Sequence, residues 1–199
     1  MAGTAAREAS LQRKTKETDI QLALVLDGSG KAAIRTGVGF MDHMLTLFAV
    51  HGFFDLDIAA QGDIEVDDHH TVEDLGICLG QAFALALGDK SGICRYGHAY
   101  VPMDETLARV CADFSNRPFL HYQVAVKESK IGMFDVSLAK EFLRALVHHA
   151  GLTLHVDLLH GENGHHILEA VFKALGRALA TAAGMHPRMN GQLSSKGVL

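Results

Sequence analysis

The spacing of apolar residues divides the first half of the chain into strands and helices. Apolar and polar residues alternate over residues 15–26 and 53–60, which is the period of a half-buried strand. Over residues 40–51 and 69–87 the apolar residues recur every three or four positions instead, and this spacing predicts two helices. An Asp-Gly-Ser-Gly turn follows the first strand, so we expect residues 31–36 to return beside it as the second strand of a hairpin.

The same order of elements recurs in the second half. Its apolar spacing predicts helices over residues 137–150 and 165–183 and strands over residues 97–103, 107–114, 119–126 and 152–158. Each half therefore follows the order strand, strand, helix, strand, helix, with an additional strand allowed in the second half. This internal duplication predicts an α+β fold whose helices are sandwiched between two mostly antiparallel sheets.

The duplication also sets the expected domain organisation. Residues 13–92 and 93–185 are predicted to be two half-repeats of one compact catalytic unit. Residues 1–12 carry little pattern and are expected to form a flexible tail, and residues 186–199 form a separate C-terminal tail.

Composition narrows the classes of partner and location. The net charge of −5 comes without a basic block, which argues against nucleic acid as a partner. No apolar run approaches the about 18 residues of a membrane span, and the N-terminal stretch lacks the apolar segment of a secretory signal. The 3 cysteines show no Cys-x-x-Cys spacing, so we expect reduced thiols in a cytoplasmic protein without a membrane partner.

Each of the two long predicted helices begins with the motif His-His-x-x-Glu. On a helix the glutamate lies four residues after the first histidine and three after the second, so the three side chains share one face. Carboxylates are favoured in a first helical turn, but paired histidines are not, and imidazole with carboxylate suits a divalent metal ion. We therefore predict metal binding by the residues of both motifs, which are His69, His70, Glu73, His165, His166 and Glu169.

Aligning the two short helices offers one more candidate ligand in each half. The alignment places His43 over Glu141, and a site in a helical core is built from facing elements. Taken alone, His43 is also compatible with a residue at a helix start, and Glu141 with a solvated helix residue. Lys173 follows Glu169 by four residues, so we expect it on the same helical face.

Five stretches of the sequence carry a likeness to a known family. They are FMDHM at residues 40–44, DDHHTVED at 67–74, PMDE at 102–105, GHHILEAVFKALGRAL at 164–179 and SSKGVL at 194–199. In this order they resemble the imidazoleglycerol-phosphate dehydratases of histidine biosynthesis, in the form without a fused phosphatase. The resemblance covers residues 13–199 and implies a hydro-lyase that converts D-erythro-imidazoleglycerol phosphate to imidazoleacetol phosphate.

The resemblance also implies a catalytic metal site. Two manganese ions are expected in each active site, bound by both His-His-x-x-Glu motifs together with His43 and Glu141. Many family members have histidine at the position of Glu141, so this ligand departs from the family pattern. Four acidic residues are expected to be catalytic by the same likeness, namely Glu17, Glu73, Asp104 and Glu169.

Phosphate binding is implied mainly for basic residues of the second half. The matching positions are Arg95, Arg117, Lys173, Ser194 and Lys196, with Glu17 as a further substrate contact. Without the resemblance, the arginines would be interpreted as surface charges and the C-terminal tail as a frayed terminus. The family further implies self-association into a cubic homo-oligomer of about 24 chains, with active sites between subunits.

Two other functions are compatible with the same residues. Two metals beside a basic cluster also suit a binuclear hydrolase that releases phosphate from an ester. A metal-storage shell is the non-enzymatic alternative, but ferritin-like bundles carry their ligands on long helices without intervening strands. Inorganic phosphate among the products would favour the hydrolase, and a ketone that retains its phosphate would favour the dehydratase.

Overall fold

Two four-stranded sheets enclose four helices in the computed structural model, which describes residues 7–197 and 199. The first half contains β1 (Glu8–Lys14), β2 (Thr18–Val25), β3 (Ala32–Arg35), α1 (Gly39–Gly52), β4 (Asp55–Gly62) and α2 (His69–Leu87). The second half contains β5 (Tyr96–Met103), β6 (Thr106–Asp113), β7 (Phe119–Gln123), β8 (Lys130–Ile131), β9 (Phe134–Asp135), α3 (Ser137–Ala150), β10 (Thr153–His160) and α4 (Gly164–Ala183).

The two large sheets share one topology. Their strand orders are β1-β2-β4-β3 and β5-β6-β10-β7. In each sheet one edge pair, β3 with β4 and β7 with β10, is parallel, and the remaining pairs are antiparallel. The predicted α+β duplication with mostly antiparallel sheets is therefore confirmed.

The helices pack in two pairs, and each pair contains one helix from each half. The short helix α1 packs on α4, and α3 packs on α2, while both long helices lie against the sheet of their own half. Glycines permit this approach, because a Cβ atom on Gly80 would lie 2.7 Å from the Leu146 carbonyl oxygen and one on Gly176 would lie 2.4 Å from that of Phe48. Both glycines follow the glutamate of their His-His-x-x-Glu motif by the same number of residues, so the duplication extends to backbone contacts.

The apolar side chains meet between the sheets, as the alternation predicts. Ile20, Leu22 and Leu24 point inward from β2, and Leu154 and Val156 point inward from β10. In the part of the chain that the structure describes, no helix has the length and apolar character needed to cross a membrane.

The predicted hairpin in the first half is wrong. β3 lies parallel to β4, with Ala33 opposite Asp57, and β4 separates it from β2. The longer β4 pairs with β2 along its whole length, whereas β3 offers only a short ladder. The Asp55 carboxylate also accepts hydrogen bonds from the backbone of Ser29 (2.7 Å) and Lys31 (3.0 Å), which draws the predicted turn across the start of β4.

The predicted N-terminal tail is also wrong where the structure describes it. Residues 1–6 lie outside the described residues, but residues 8–12 belong to β1, which pairs antiparallel with β2. Only Ala9 and Leu11 supply apolar contacts on this edge strand, so its alternation is weak. As a result the first half has three strands ahead of α1, rather than the predicted two.

Candidate metal centre

The start of α4 and the first turns of α1 bring three predicted ligands together. Asn163 caps α4, where its side-chain oxygen accepts hydrogen bonds from the backbone of His165 (2.9 Å) and His166 (3.3 Å). This cap fixes the first turn that carries the histidines. The Glu169 Oε1 atom then lies 2.8 Å from His43 Nε2 and 3.2 Å from His165 Nε2.

Glu169 is the most deeply buried member of this cluster. Its burial alone would raise the pKa, but hydrogen bonds from Lys173 and His43 outweigh that effect and lower the pKa of Glu169 to about 2. Lys173 Nζ donates to Glu169 Oε2 at 2.5 Å and also lies 3.4 Å from the Met103 sulfur. The carboxylate is therefore ionised at neutral pH, as a metal ligand must be.

The corresponding residues of α2 and α3 form a more open arrangement. His69 Nε2 lies 3.7 Å from Glu73 Oε2, and Glu141 is paired with Arg144 at 2.9 Å. Among the described residues, His43, His165 and Glu169 are the one group of three whose ligand atoms all lie within 4.8 Å of one another. The two equivalent sets of residues thus differ in how closely their potential ligand atoms approach one another.

The second histidine of each motif is held by a carboxylate through its Nδ1 atom. His70 Nδ1 donates to Asp63 at 3.0 Å, and His166 Nδ1 donates to Glu105 at 2.8 Å. These hydrogen bonds are the main reason that the pKa of each histidine is raised. A ring held in this way presents Nε2 outward, which is the usual arrangement of a metal-binding histidine and its supporting carboxylate.

Two predicted catalytic acids stand beside those Nε2 atoms. Glu17, in the turn between β1 and β2, lies 3.9 Å from His70 Nε2. Asp104, in the turn between β5 and β6, lies 3.9 Å from His166 Nε2. Both carboxylates are exposed to solvent, so each remains accessible to a substrate.

All but one of the predicted phosphate-binding residues lie near the C-terminal end of α4. Arg95 is 8% exposed, binds Asp113 through two of its nitrogens and donates to the Leu193 carbonyl at 2.6 Å, so it ties the C-terminal tail to β6. Arg117 lies within 3.9 Å of the same Asp113, with most of its side chain exposed. In the tail, the Ser194 hydroxyl accepts a hydrogen bond from the Lys196 backbone at 3.2 Å.

The length of α4 sets the distance between the histidines at its start and Arg95 near its end. The Arg95 backbone donates to the carbonyl of Ala182 near the C-terminal end of α4, whereas His165 lies at its start. At 1.5 Å per residue the two ends are separated by about 25 Å. Lys173 is the exception among the predicted phosphate ligands, because it contacts Glu169 within the metal cluster.

Comparison with known proteins identifies the family. The model of the family described as imidazoleglycerol-phosphate dehydratase matches residues 36–179. The chain belongs to this family. The imidazoleglycerol-phosphate dehydratases are hydro-lyases of histidine biosynthesis.

Relatives of that name are similar along nearly the whole chain. The chain is 60% identical to imidazoleglycerol-phosphate dehydratase of Desulfotalea psychrophila, over 97% of this chain and 96% of that protein. It is 58% identical to that of Syntrophobacter fumaroxidans, over the full length of both.

Solved imidazoleglycerol-phosphate dehydratases share the fold. The Staphylococcus aureus structure is 45% identical with a TM-score of 0.82, covering 90% of this chain and 99% of that one. The Pyrococcus furiosus structure, a complex with (S)-C348, is 41% identical with a TM-score of 0.82, covering 95% of this chain and 100% of that one.

Two supporting carboxylates are absent from the site residues predicted from the sequence. Asp63 lies in an acidic turn and Glu105 follows Asp104 in the PMDE stretch, so neither stands out by composition. Glu105 also accepts hydrogen bonds from the backbone of Glu162 (3.2 Å) and Asn163 (2.9 Å), which lowers its pKa and joins the β5–β6 turn to the start of α4. Glu105 is distant in sequence from His166, so their contact can be found only from the fold. Asp63 lies close before His70, but no sequence pattern marks it as the partner of that histidine.

Taken together, the donors fit a divalent ion. The site offers an ionised carboxylate at Glu169, two imidazoles beside it, and two further imidazoles whose Nδ1 atoms are already occupied. Neutral imidazole and carboxylate are both ligand types that bind divalent metal ions.

Proposed function

We propose that this chain catalyses the metal-dependent dehydration of D-erythro-imidazoleglycerol phosphate to imidazoleacetol phosphate. The observation that carries the proposal is the convergence of His43, His165 and Glu169, chain-distant groups of the type that bind a divalent ion. We propose two Mn²⁺ ions per active site. The ligands proposed are His43, His69, His70, Glu73, Glu141, His165, His166 and Glu169.

The metal and its ligands would bind the imidazole end of the substrate. When bound, the manganese would act as a Lewis acid that favours the deprotonated form of the substrate imidazole. Asp63 and Glu105 keep the rings of His70 and His166 oriented for this role. Lys173 holds the Glu169 carboxylate in its ionised form.

The exposed acids are suited to the two proton transfers. Dehydration breaks a C–H bond and the C–O bond of the neighbouring carbon, and the resulting enol becomes a ketone. Glu17 accepts the proton from carbon in our proposal, since its carboxylate lies beside His70 Nε2. Asp104 occupies the equivalent place beside His166 Nε2 and is our candidate for the proton that leaves with the hydroxyl.

The two ends of the chain along α4 are called poles here: one carries the histidines, and the other carries most of the predicted phosphate ligands. The phosphate would be bound at this second pole of a neighbouring chain. Arg95, Arg117, Ser194 and Lys196 belong to that pole, about 25 Å from the histidines along α4. A three-carbon diol with an imidazole and a phosphate spans only roughly 10 Å by ordinary bond lengths. One chain therefore cannot hold both ends of the substrate, which supports the expected oligomer of about 24 chains with sites between subunits.

Product analysis tests the reaction. The purified chain is stripped of metal with a chelator, assayed, and assayed again after Mn²⁺ is restored. We expect formation of a ketone that retains its phosphate, only in the metal-restored protein. Release of inorganic phosphate would identify a hydrolase instead, and metal uptake without turnover would favour the storage shell.

A pair of histidine variants tests the metal centre. His165→Ala removes a group from the cluster and is expected to lower turnover by about 100-fold or more, because a lost ligand weakens metal binding. His148→Ala removes an exposed histidine of α3 that lies outside the cluster and is the matched control. Full turnover and metal content in His165→Ala would contradict the assignment.

A further inference from the structure

The outer face of the second sheet carries four side chains of metal-binding type in a single row. The row crosses the strands β5, β6, β10 and β7 in register, because His98 pairs with Cys111, Cys111 with His155, and His155 with His121. Directly opposed residues in a sheet have Cα atoms about 4.5–5.5 Å apart. Three imidazoles and one thiol are thus neighbours on adjacent strands.

These side chains point away from the core. Within the same strands Gly97, Ala112 and Leu154 are buried on the inner face, and alternation directs their neighbours in the row outward. The three histidines are exposed and Cys111 is half-buried. The row therefore lies on the side of the sheet opposite the helices and apart from the cluster of α1 and α4.

The first half shows that the fold does not require this row. The equivalent row of the first sheet consists of Ser10, Ala23, Asp57 and Ala33, paired in the same way across β1, β2, β4 and β3. The two sheets share strand order and register, so packing explains neither the thiol nor the imidazoles of the second.

We propose that His98, Cys111 and His155 form a second metal site, selective for a soft divalent ion such as zinc. Cys111 stands between the two histidines, so rotation of the exposed side chains about χ1 and χ2 brings an imidazole nitrogen to each side of a thiolate-bound ion. Zinc takes such ligands at about 2.3 Å from sulfur and about 2.0–2.1 Å from nitrogen, with water in the fourth position. Binding releases the thiol proton to solvent.

The fourth residue of the row supports the site rather than binding the ion. His121 packs against His155 with the ring centroids 5.2 Å apart. Its Nε2 atom lies 3.5 Å from Asp157, a carboxylate that Arg109 also binds. This pairing holds His121 in place beside the His155 ring.

The thiolate separates this site from the manganese centre chemically. Thiolate selects zinc and similar ions, whereas the α1–α4 cluster contains only imidazole and carboxylate. This site is independent of the proposed dehydration, and the experiment that tests it does not measure enzyme activity.

Cobalt(II) is the probe, because a bound thiolate gives it a charge-transfer absorption in the near ultraviolet. The full chain is kept in a large molar excess of Mn²⁺ while it is titrated with Co²⁺, because Co²⁺ binds imidazole and carboxylate ligands more tightly than Mn²⁺ does. We expect the thiolate band to saturate at one equivalent per chain and to disappear when Zn²⁺ is added. Cys111→Ser should abolish the band, and His98→Ala and His155→Ala should each remove most of it at the same cobalt concentration.

Two control variants keep the ligand set. Cys94→Ser alters a half-buried thiol outside the row, and His148→Ala alters an exposed histidine of α3, so both should retain the band. Far-ultraviolet circular dichroism verifies that each variant is folded. Absence of the band in the unaltered chain, its survival in folded Cys111→Ser, or its loss in Cys94→Ser would overturn the proposal.

Discussion

Glu169 connects the groups of the candidate metal centre at the scale of single residues. Its two oxygens contact His43, His165 and Lys173, and the carboxylate has little exposure to solvent. A buried carboxylate remains charged only where such partners offset the lost hydration. We therefore expect its charge to contribute to the stability of the fold as well as to the proposed metal binding.

The acid stability of the metal-free protein should depend on Glu169. Its pKa is lowered from an ordinary value of 4.5 to about 2, so the folded state gains stability above the ordinary value. That stability is lost as the pH falls from about 4.5 towards 2. Denaturant titrations at several acidic pH values should show a smaller pH-dependent loss in Glu169→Gln than in the unaltered chain.

Glu65→Gln is the matched control for this pH dependence. Glu65 is exposed in the turn before α2, and its substitution should leave the pH profile unchanged. Parallel profiles for Glu169→Gln and the unaltered chain would contradict the proposed role of the buried charge.

The supporting carboxylates should affect metal affinity without being ligands. Asp63→Ala removes the acceptor for His70 Nδ1, so the ring loses its fixed orientation. Removal of such a partner typically lowers metal affinity by about 10–100-fold. Titration with Mn²⁺, followed through the signal of the free ion, measures the change.

Asp57→Ala provides the comparison, since Asp57 is an exposed carboxylate on the outer face of β4. Equal Mn²⁺ affinity in Asp63→Ala and Asp57→Ala would show that the His70–Asp63 hydrogen bond does not support the site.

At the scale of elements, the close approach of helices should be sensitive to a single methyl group. Gly176→Ala would place a Cβ atom 2.4 Å from the Phe48 carbonyl, so α1 and α4 would have to separate. We expect a loss of about 1–3 kcal/mol, even though alanine itself favours a helix. The midpoint of thermal unfolding at fixed protein concentration reports it.

Gly39→Ala is the control for that loss, because nothing lies within 4 Å of a Cβ atom at the start of α1. It should leave the midpoint unchanged or slightly higher. An unchanged midpoint in Gly176→Ala would mean that the helices can shift without cost.

The sequence predicts the helices better than the strand partners. The spacing over α2 and α3 locates both helices to the residue, because a three-to-four-residue period is set within one segment. β3 lies beside β4 because β2 pairs with the longer β4 instead of with β3, and that pairing is decided only when the sheet assembles. The edge strand β1 was missed since one side of it contacts no other strand.

The same limit applies to the candidate site. The His-His-x-x-Glu motifs are visible in the sequence because their spacing is local. The structure brings the first histidine and the glutamate of the second motif together with His43 from the other half. Asp63 contacts His70 from the turn that precedes α2, and Glu105 contacts His166 from the β5–β6 turn. The distance between the histidines and Arg95 was not predictable either, because it depends on where the Arg95 backbone contacts α4.

At the scale of the whole molecule, a site between chains should allow two defective variants to rescue each other. His165→Ala damages one pole and Arg117→Ala the other, and each should lose most activity alone. When the two are co-expressed, about a quarter of the sites in a randomly mixed oligomer would combine intact poles. Activity of the purified mixture measures the recovery.

The matching control co-expresses His43→Ala with His165→Ala. Both changes fall in one cluster, so no chain supplies an intact one and activity should stay low. If both mixed oligomers assemble and neither recovers activity, the result would contradict a site shared between chains.

The crossing of helices between the halves also bears on how the chain arose. Each short helix packs on the long helix of the other half, so neither half covers its own apolar surface. Before a gene duplication joined them, a single half could complete this packing only against a second copy of itself, as a twofold-symmetric dimer. A half expressed alone is accordingly expected to sediment as a dimer rather than as a folded monomer.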